Sequence, residues 1–507
     1  MQGMIIDWIS HNAINQPEKT ATIELPSGRR QTYREMDDRV GRIATWLSEL
    51  GVGPGDRVGV LALNSVDAID IIFATWRLGA VHLALNFRLT PPELDYIIGN
   101  AEPDVVIYDR ELQSTLDGLT VEILHAIETE GQGADSDFER RTAAAEPRRD
   151  RVELEPEDQC MLMYSSGTTG QPKGVIITHG MMLWANINMA GPFEGSQDMV
   201  SFTVMPLFHI GAIQVFSFPA IYFGGTAIVM RTFDPGAALD VFSDRELGVT
   251  HFLGVPAIYN ALRDHPKNAE ADFSGMRIAL AGAEAVPESL VHWWVKRGLV
   301  IQEGYGMTEN VACCCGLAKS DVAEHVGSAG KALRHVEIKI LREDGSEAEP
   351  GETGEIVCRG PAVTPGYWRR PEATAEAIID GWLHTGDLGS RDAEGFMYIE
   401  DRLKDMYISG GENVYPAEIE NVLYELEEIR EVAVIGLPDE RFGESGCAVV
   451  ALQEGKDLSA QAILDYCGPR LARFKQPKHV TFVSELPRNA TGKVLKFELR
   501  DSISFDD

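Results

Sequence analysis

From Thr32 onward, short runs of β-branched and apolar residues alternate with longer segments of helical spacing, and this alternation limits the chain more than any other feature. Thr32 can cap a helix whose apolar positions Met36, Val40, Ile43, Ala44, Leu47 and Leu50 fall on one face, ending at Gly51. A buried strand is expected at 57–63, a helix at 67–78, and a strand at 105–108. Further along, a helix starts at Asp234-Pro235, strands follow at 250–253 and 277–281, and a helix starts at Pro287. Strands that alternate with helices imply largely parallel sheets covered on both faces. At 507 residues the chain exceeds what one hydrophobic core usually serves, so a large domain with two such layers and a smaller domain are expected.

After about Val336 the pattern shifts to short alternating strands at 337–341, 354–359 and 396–399 with Gly-rich turns, as in a small β-barrel or a twisted antiparallel sheet. Beyond Asp401 a compact α+β unit is expected: helix 416–426, strands 432–436 and 447–452, helix 459–471 and strand 480–482. The expected fold class is therefore α/β, with layered sheets and a small β-barrel in an N-terminal domain at 1–400. A hinge at 401–405 leads to a small mobile C-terminal domain at 406–507. The polar segment 128–151 reads as an irregular surface excursion. Residues 199–230 carry no formal charge, but His209, Gln214, Pro219 and Gly224-Gly225 interrupt the run, so buried core is expected there rather than a membrane span.

The net charge of −33 argues against nucleic acid or an anionic membrane as partner. One stretch departs from it: Arg470, Arg473, Lys475, Lys478, Arg488, Lys493 and Lys496 fall together with Glu485 as the only acid among them. This is either a place for polyanions or a solvated basic face. The seven cysteines form no Cys-x-x-Cys pair, so zinc and disulfides are not expected, and the run Cys313 to Cys315 reads as buried reduced thiols suited to a cytoplasmic setting.

The strongest local signal is Tyr164-Ser165-Ser166-Gly167-Thr168-Thr169-Gly170-Gln171-Pro172-Lys173-Gly174, directly after Met161-Leu162-Met163. Hydroxyls, glycines and a lysine in one loop can present backbone N–H groups, O–H donors and a cation to a polyphosphate. The Gln-Pro before Lys173 and Gly174 after it exclude a Walker A loop.

This loop resembles the signature of the adenylate-forming, AMP-binding superfamily of acyl-CoA synthetases, luciferases and peptide-synthetase adenylation domains, and the resemblance spans nearly the whole chain. It implies nucleotide contacts from Ser165, Ser166, Gly167, Thr168, Thr169, Gly170 and Lys173. Gly282-Ala283-Glu284 would lie along adenine. In Gly304-Tyr305-Gly306-Met307-Thr308-Glu309 it implies that Tyr305 stacks on the base beside Gly306, Thr308 meets the α-phosphate and Glu309 holds magnesium. Asp387 of Thr385-Gly386-Asp387 would bind the ribose, Arg402 the same nucleotide, and Lys404 would be the pivot. Lys493 of Pro487-Arg488-Asn489-Ala490-Thr491-Gly492-Lys493 would reach the carboxylate and the phosphate bridge, where charge develops on the leaving pyrophosphate. His209 would line the acyl pocket.

Gly410-Gly411-Glu412-Asn413-Val414-Tyr415-Pro416 resembles the loop of CoA ligases that admits pantetheine, so Gly410 and Gly411, with Arg473 and Lys475, are expected CoA contacts. The implied cofactors are ATP, Mg2+ and CoA. The pocket segments 208–218, 252–259, 278–285 and 311–316 are mostly apolar and small, which favours a fatty, aryl or arylpropenoic acid over one with a second charge. An adenylating enzyme that loads a carrier protein in trans, a luciferase-like oxygenase and a non-catalytic ATP-binding regulator are the alternatives, and a homodimer is left open.

Overall fold

A computed structural model describes residues 7–150, 152–165, 172–284, 286–402, 405–409, 412–439, 442–488 and 494–503. The helix expected after Thr32 spans Tyr33–Glu49, and its start is a complete capping box: Thr32 Oγ1 accepts from the Glu35 N–H at 3.2 Å while Glu35 accepts from the Thr32 N–H at 2.8 Å. Such a cap contributes about 1 kcal/mol. The apolar face, Met36, Val40, Ile43, Ala44 and Leu47, is fully buried, and Gly51 closes the end at a positive φ. The next helix, Val66–Arg77, is buried on every side, the mark of a helix held between two layers. Trp8 meets Phe73, Trp76, Phe218 and Tyr222 edge-on beside it.

Two sheets form those layers. One has six strands in the order His125–Thr129, Val105–Asp109, Arg57–Leu61, Val81–Leu85, Gln159–Ser165, Lys173–Thr178, parallel except for the last pair. The other has nine strands, with Ile301–Tyr305, Ile278–Ala281, His251–Gly254, Val200–Thr203, Thr226–Met230 and Thr20–Leu25 parallel in that order. Short antiparallel strands close both of its edges. A five-stranded antiparallel sheet follows, built on Glu337–Leu341, Gly354–Arg359, Trp382–Arg391, Ile378–Ile379 and Met397–Arg402, the sheet form of the two expected there. The last unit has its own sheet, in which the central strand Gly443–Leu452 pairs with Ile429–Asp439, Tyr407–Ser409 and His479–Phe482. Its own core includes Tyr407, Val414, Ile419, Leu423, Val434, Val450 and Ile463.

Segment 128–151 is not the irregular excursion expected. His125–Thr129 adds a parallel edge strand, and Ser136 caps the helix Asp137–Ala144, accepting from the Glu139 N–H at 3.1 Å. That helix is anchored by one large apolar residue, Phe138, edge-on to Trp46 at 5.8 Å, while Trp46 Nε1 donates to Thr142 Oγ1. With so few apolar positions, its fold depends on partners nearly a hundred residues away. The uncharged run 199–230 is core: strand Val200–Thr203, short helical turns over 210–223, then strand Thr226–Met230. Among the described residues no helix is long and apolar enough to cross a membrane.

Candidate functional site

The phosphate-type loop joins two antiparallel neighbours, Gln159–Ser165 and Lys173–Thr178, with Ser165 directly opposite Lys173. Ser166, Gly167, Thr168, Thr169 and Gly170 lie outside the described residues. Lys173 sets its ammonium 5.1 Å from the ring centroid of Tyr367.

Two parallel strands end side by side near this loop. Ile278–Ala281 leads into Gly282-Ala283-Glu284, and Ile301–Tyr305 leads into Gly306 and the turn Thr308–Asn310. Strand ends in a parallel sheet are where ligands settle. The glycines answer to close backbone approach: a Cβ on Gly282 would lie 2.8 Å from the Gly304 carbonyl oxygen, and one on Gly306 would lie 2.2 Å from that of Ala312. Ala283, Val311 and Ala312 hold φ of 71°, 55° and 78°, a left-handed cluster of non-glycine residues of the kind that packing must enforce and that gathers at functional sites.

The structure brings several expected residues together. Tyr305 donates its hydroxyl to Asp387 Oδ2 at 2.6 Å. Asp387 follows Gly386, whose φ is +70° and whose N–H donates to Glu355, while Thr385 Oγ1 accepts from the Asp387 N–H. Arg402 is the register partner of Asp387 on the neighbouring strand; of Arg402 the backbone alone is described. Glu309 is buried and accepts from the Tyr367 hydroxyl at 2.9 Å. Thr308 sits beside it, its hydroxyl without a protein partner among the described residues. Burial, together with the neighbouring Glu309 carboxylate, raises the Tyr367 phenol well above its ordinary pKa, so it remains a donor at any working pH.

His209 caps the short turn Ile210–Ala212, its Nδ1 accepting from the Gly211 N–H at 3.2 Å, while the adjacent Phe208 packs edge-on to Phe87. Glu284 faces Arg488 of the C-terminal unit at 3.7 Å. Five of the seven cations of the basic stretch are paired with acids. Arg470 pairs with Glu425, Lys475 with Glu418, Lys478 with Asp439, Arg488 with Glu431 and Lys496 with Glu420. A chain this rich in acids supplies a partner to nearly every local cation. Lys475, an expected CoA contact, is thus held by Glu418, whereas Arg473 is exposed. Gly410, Gly411, Lys404 and Lys493 lie outside the described residues.

All seven cysteines are free and buried, and the burial of Cys313 to Cys315 agrees with the reading of that run. Cys314 Sγ donates to the Tyr305 carbonyl, so this thiol backs the site strand.

Two residues of the site escaped the sequence. Tyr367 had no signal beyond an aromatic in Pro365-Gly366-Tyr367-Trp368. Glu303, on the strand leading to Tyr305, is buried and accepts a 3.3 Å bond from the Gly327 N–H. Burial pushes its carboxyl up to about 8, the Gly327 N–H opposing and the Glu288 charge adding to the rise.

The family model for AMP-binding enzymes matches residues 9–368, and that for the AMP-binding enzyme C-terminal domain matches residues 418–493. The chain is 40% identical to a feruloyl-CoA synthase of Amycolatopsis sp over 494 residues, 97% of this chain and 98% of the relative. It is 38% identical to the long-chain-fatty-acid–CoA ligase FadD13 of Mycobacterium tuberculosis over 502 residues, 98% of each. Among solved structures, ATP-bound MatB from Rhodopseudomonas palustris is similar with a TM-score of 0.90 at 32% identity, over 98% of this chain and 99% of that one.

Proposed function

Since the chain belongs to the AMP-binding enzyme family, we propose that the residues gathered around Tyr305 and Glu309 form the centre at which it joins a carboxylic acid to coenzyme A. The protein is an AMP-forming acid–thiol ligase that uses ATP, Mg2+ and CoA. In the first half-reaction a carboxylate oxygen attacks the α-phosphorus of ATP, the bond to the bridging oxygen breaks, and pyrophosphate leaves. In the second, the CoA sulfur attacks the acyl carbonyl, its proton is lost, and AMP leaves with the electrons of the broken acyl–oxygen bond.

The observation that supports this site is convergence. Three separate segments meet in two hydrogen bonds that both reach the motif 304–309, Tyr305 to Asp387 and Tyr367 to Glu309. In our reading Lys173 and the hydroxyls from Ser165 to Thr169 hold the phosphates, with Gly167 and Gly170 allowing close backbone approach. Gly282, Ala283, Tyr305 and Gly306 border the base, Asp387 and Arg402 hold the ribose, and Thr308 meets the α-phosphate. Lys493 stabilises the charge that develops on the leaving group. The Glu309 carboxylate is a buried hard oxygen donor, which suits Mg2+. Among the described residues no cluster of three or more His, Cys, Asp or Glu could hold a metal, so an ion here would take its other ligands from phosphates and water. When bound, it supplies charge neutralisation on the triphosphate.

Gly410 and Gly411 are assigned to the pantetheine path and Arg473 to CoA. With Lys475 engaged by Glu418, its contact would require that pair to open. The acid is assigned to the fatty, aryl or arylpropenoic class, supported by the apolar pocket segments and by relatives named for ferulate and long-chain fatty acids. Seven unbridged thiols support a cytoplasmic setting. The test is a panel of such acids, each assayed with and without CoA while pyrophosphate and thioester are followed together. Acid-dependent pyrophosphate without thioester would favour a carrier-loading enzyme, and neither product with any acid would reject the reading.

A further inference from the structure

Tyr367 lies between the two charged groups assigned to the phosphates. Its hydroxyl donates to Glu309 Oε1 at 2.9 Å, and its ring lies under the Lys173 ammonium at 5.1 Å. The backbone around it is fastened at both ends. Toward the phosphate loop, the Trp368 N–H donates to the Gly174 carbonyl at 2.7 Å, the Ile176 N–H donates to that of Gly366 at 3.1 Å, and Tyr367 bridges Val175. Toward the acidic turn, the Thr364 N–H donates to the Glu309 carbonyl at 2.7 Å. Gly366 holds φ +146°, and a Cβ there would sit 2.4 Å from Thr374 Cγ2, so the chain can turn Tyr367 inward only with glycine in front of it.

Segment 364–368 therefore ties the strand that carries Lys173 to the turn that carries Glu309, with one side chain touching both. A buried carboxylate can rotate about its last bonds, and a donor fixed by its own backbone removes that freedom on one oxygen. Outer-shell partners of this kind orient a metal-binding carboxylate and tune its affinity.

We propose that Tyr367 is a positioning residue that sets the Glu309 carboxylate for the divalent cation of bound ATP, while its ring seats Lys173 at the phosphate loop. This rests on the reading of Glu309 as a cation ligand. Tyr367→Phe removes one oxygen and keeps the ring, and so separates the hydroxyl from the packing.

Binding of Mn2+ to the ATP-loaded full-length chain is measured by the loss of the free-ion electron paramagnetic resonance signal, with no turnover involved. Tyr367→Phe is expected to weaken Mn2+ roughly tenfold or more, while ATP binding in EDTA changes by less than about twofold. Glu309→Gln should weaken Mn2+ as well, and adding Tyr367→Phe to it should cost little more, because the hydroxyl acts through that carboxylate. Losses that multiply across the two variants, or Mn2+ affinity within about twofold of the parent in Tyr367→Phe, would overturn the proposal. If Glu309→Gln itself leaves Mn2+ binding unchanged, the cation-ligand reading fails first. If Glu309→Gln weakens binding and Tyr367→Phe does not, the present proposal alone fails.

Discussion

The guanidinium of Arg488, in the C-terminal unit, lies 3.7 Å from the carboxylate of Glu284, on the loop that ends a strand of the nine-stranded sheet. Arg488 is also bound at 2.5 Å to Glu431 of its own unit, so it carries a rigid partner across to the nucleotide side. Lys493 follows it by five residues.

This bridge should favour the arrangement that serves adenylation. Both side chains are about a quarter exposed, so the pair contributes about 1 kcal/mol at most, a population factor of roughly five. Arg488→Ala is expected to slow acid-dependent ATP/pyrophosphate exchange about threefold to fivefold and to leave thioester formation from supplied acyl-adenylate unchanged or faster. Glu431→Gln, which keeps the cross-unit pair, should leave exchange within about twofold. Equal slowing of both half-reactions by Arg488→Ala would reject the bridge as a conformational bias.

Lys493→Ala should remove most acyl-adenylate formation, by about 10²–10³, the usual worth of one preorganised charge at a developing anion. Thioester formation from supplied acyl-adenylate should persist. Single-turnover assays of the two half-reactions decide the point, and loss of both together would assign Lys493 a structural role.

We propose that the small unit presents Lys493 and the Gly410-Gly411 loop to the same phosphate in turn, by rotation about a few backbone dihedrals. Proline at 404 would fix φ near about −65° and restrict Leu403 as well. Lys404→Pro is expected to hold ATP/pyrophosphate exchange within about tenfold, or ~1.4 kcal/mol of barrier, and nearly to abolish thioester formation. Lys404→Ala should spare both. Near-normal thioester synthesis by the proline variant would place the pivot elsewhere.

Glu303 makes stability depend on pH in a set direction. Its folded carboxyl is raised to about 8 from an ordinary 4.5, so the fold binds a proton that the unfolded chain releases. Its contribution is complete below pH 4.5 and is lost as pH climbs through 8, at no more than about 1.4 kcal/mol per unit. The parent's melting temperature should therefore fall relative to Glu303→Gln between pH 5 and 8 and level off above. A difference that stays flat over that window would show that Glu303 is ionised in the fold.

Local chemistry alone determined much of this. The capped helix at Tyr33–Glu49 and the parallel strands were legible because propensity, capping and spacing act over a few residues, and the motif residues were legible through their resemblance to a family signature. Tertiary structure decided the rest. The helix Asp137–Ala144 exists because Phe138 finds Trp46, and the basic stretch is quenched because acids distant in sequence reach it. Tyr367 joins the site because Gly366 turns it toward Glu309, 58 residues earlier. No local period records a pairing between distant segments, since the energy that selects it arises only when the sheets have closed around it.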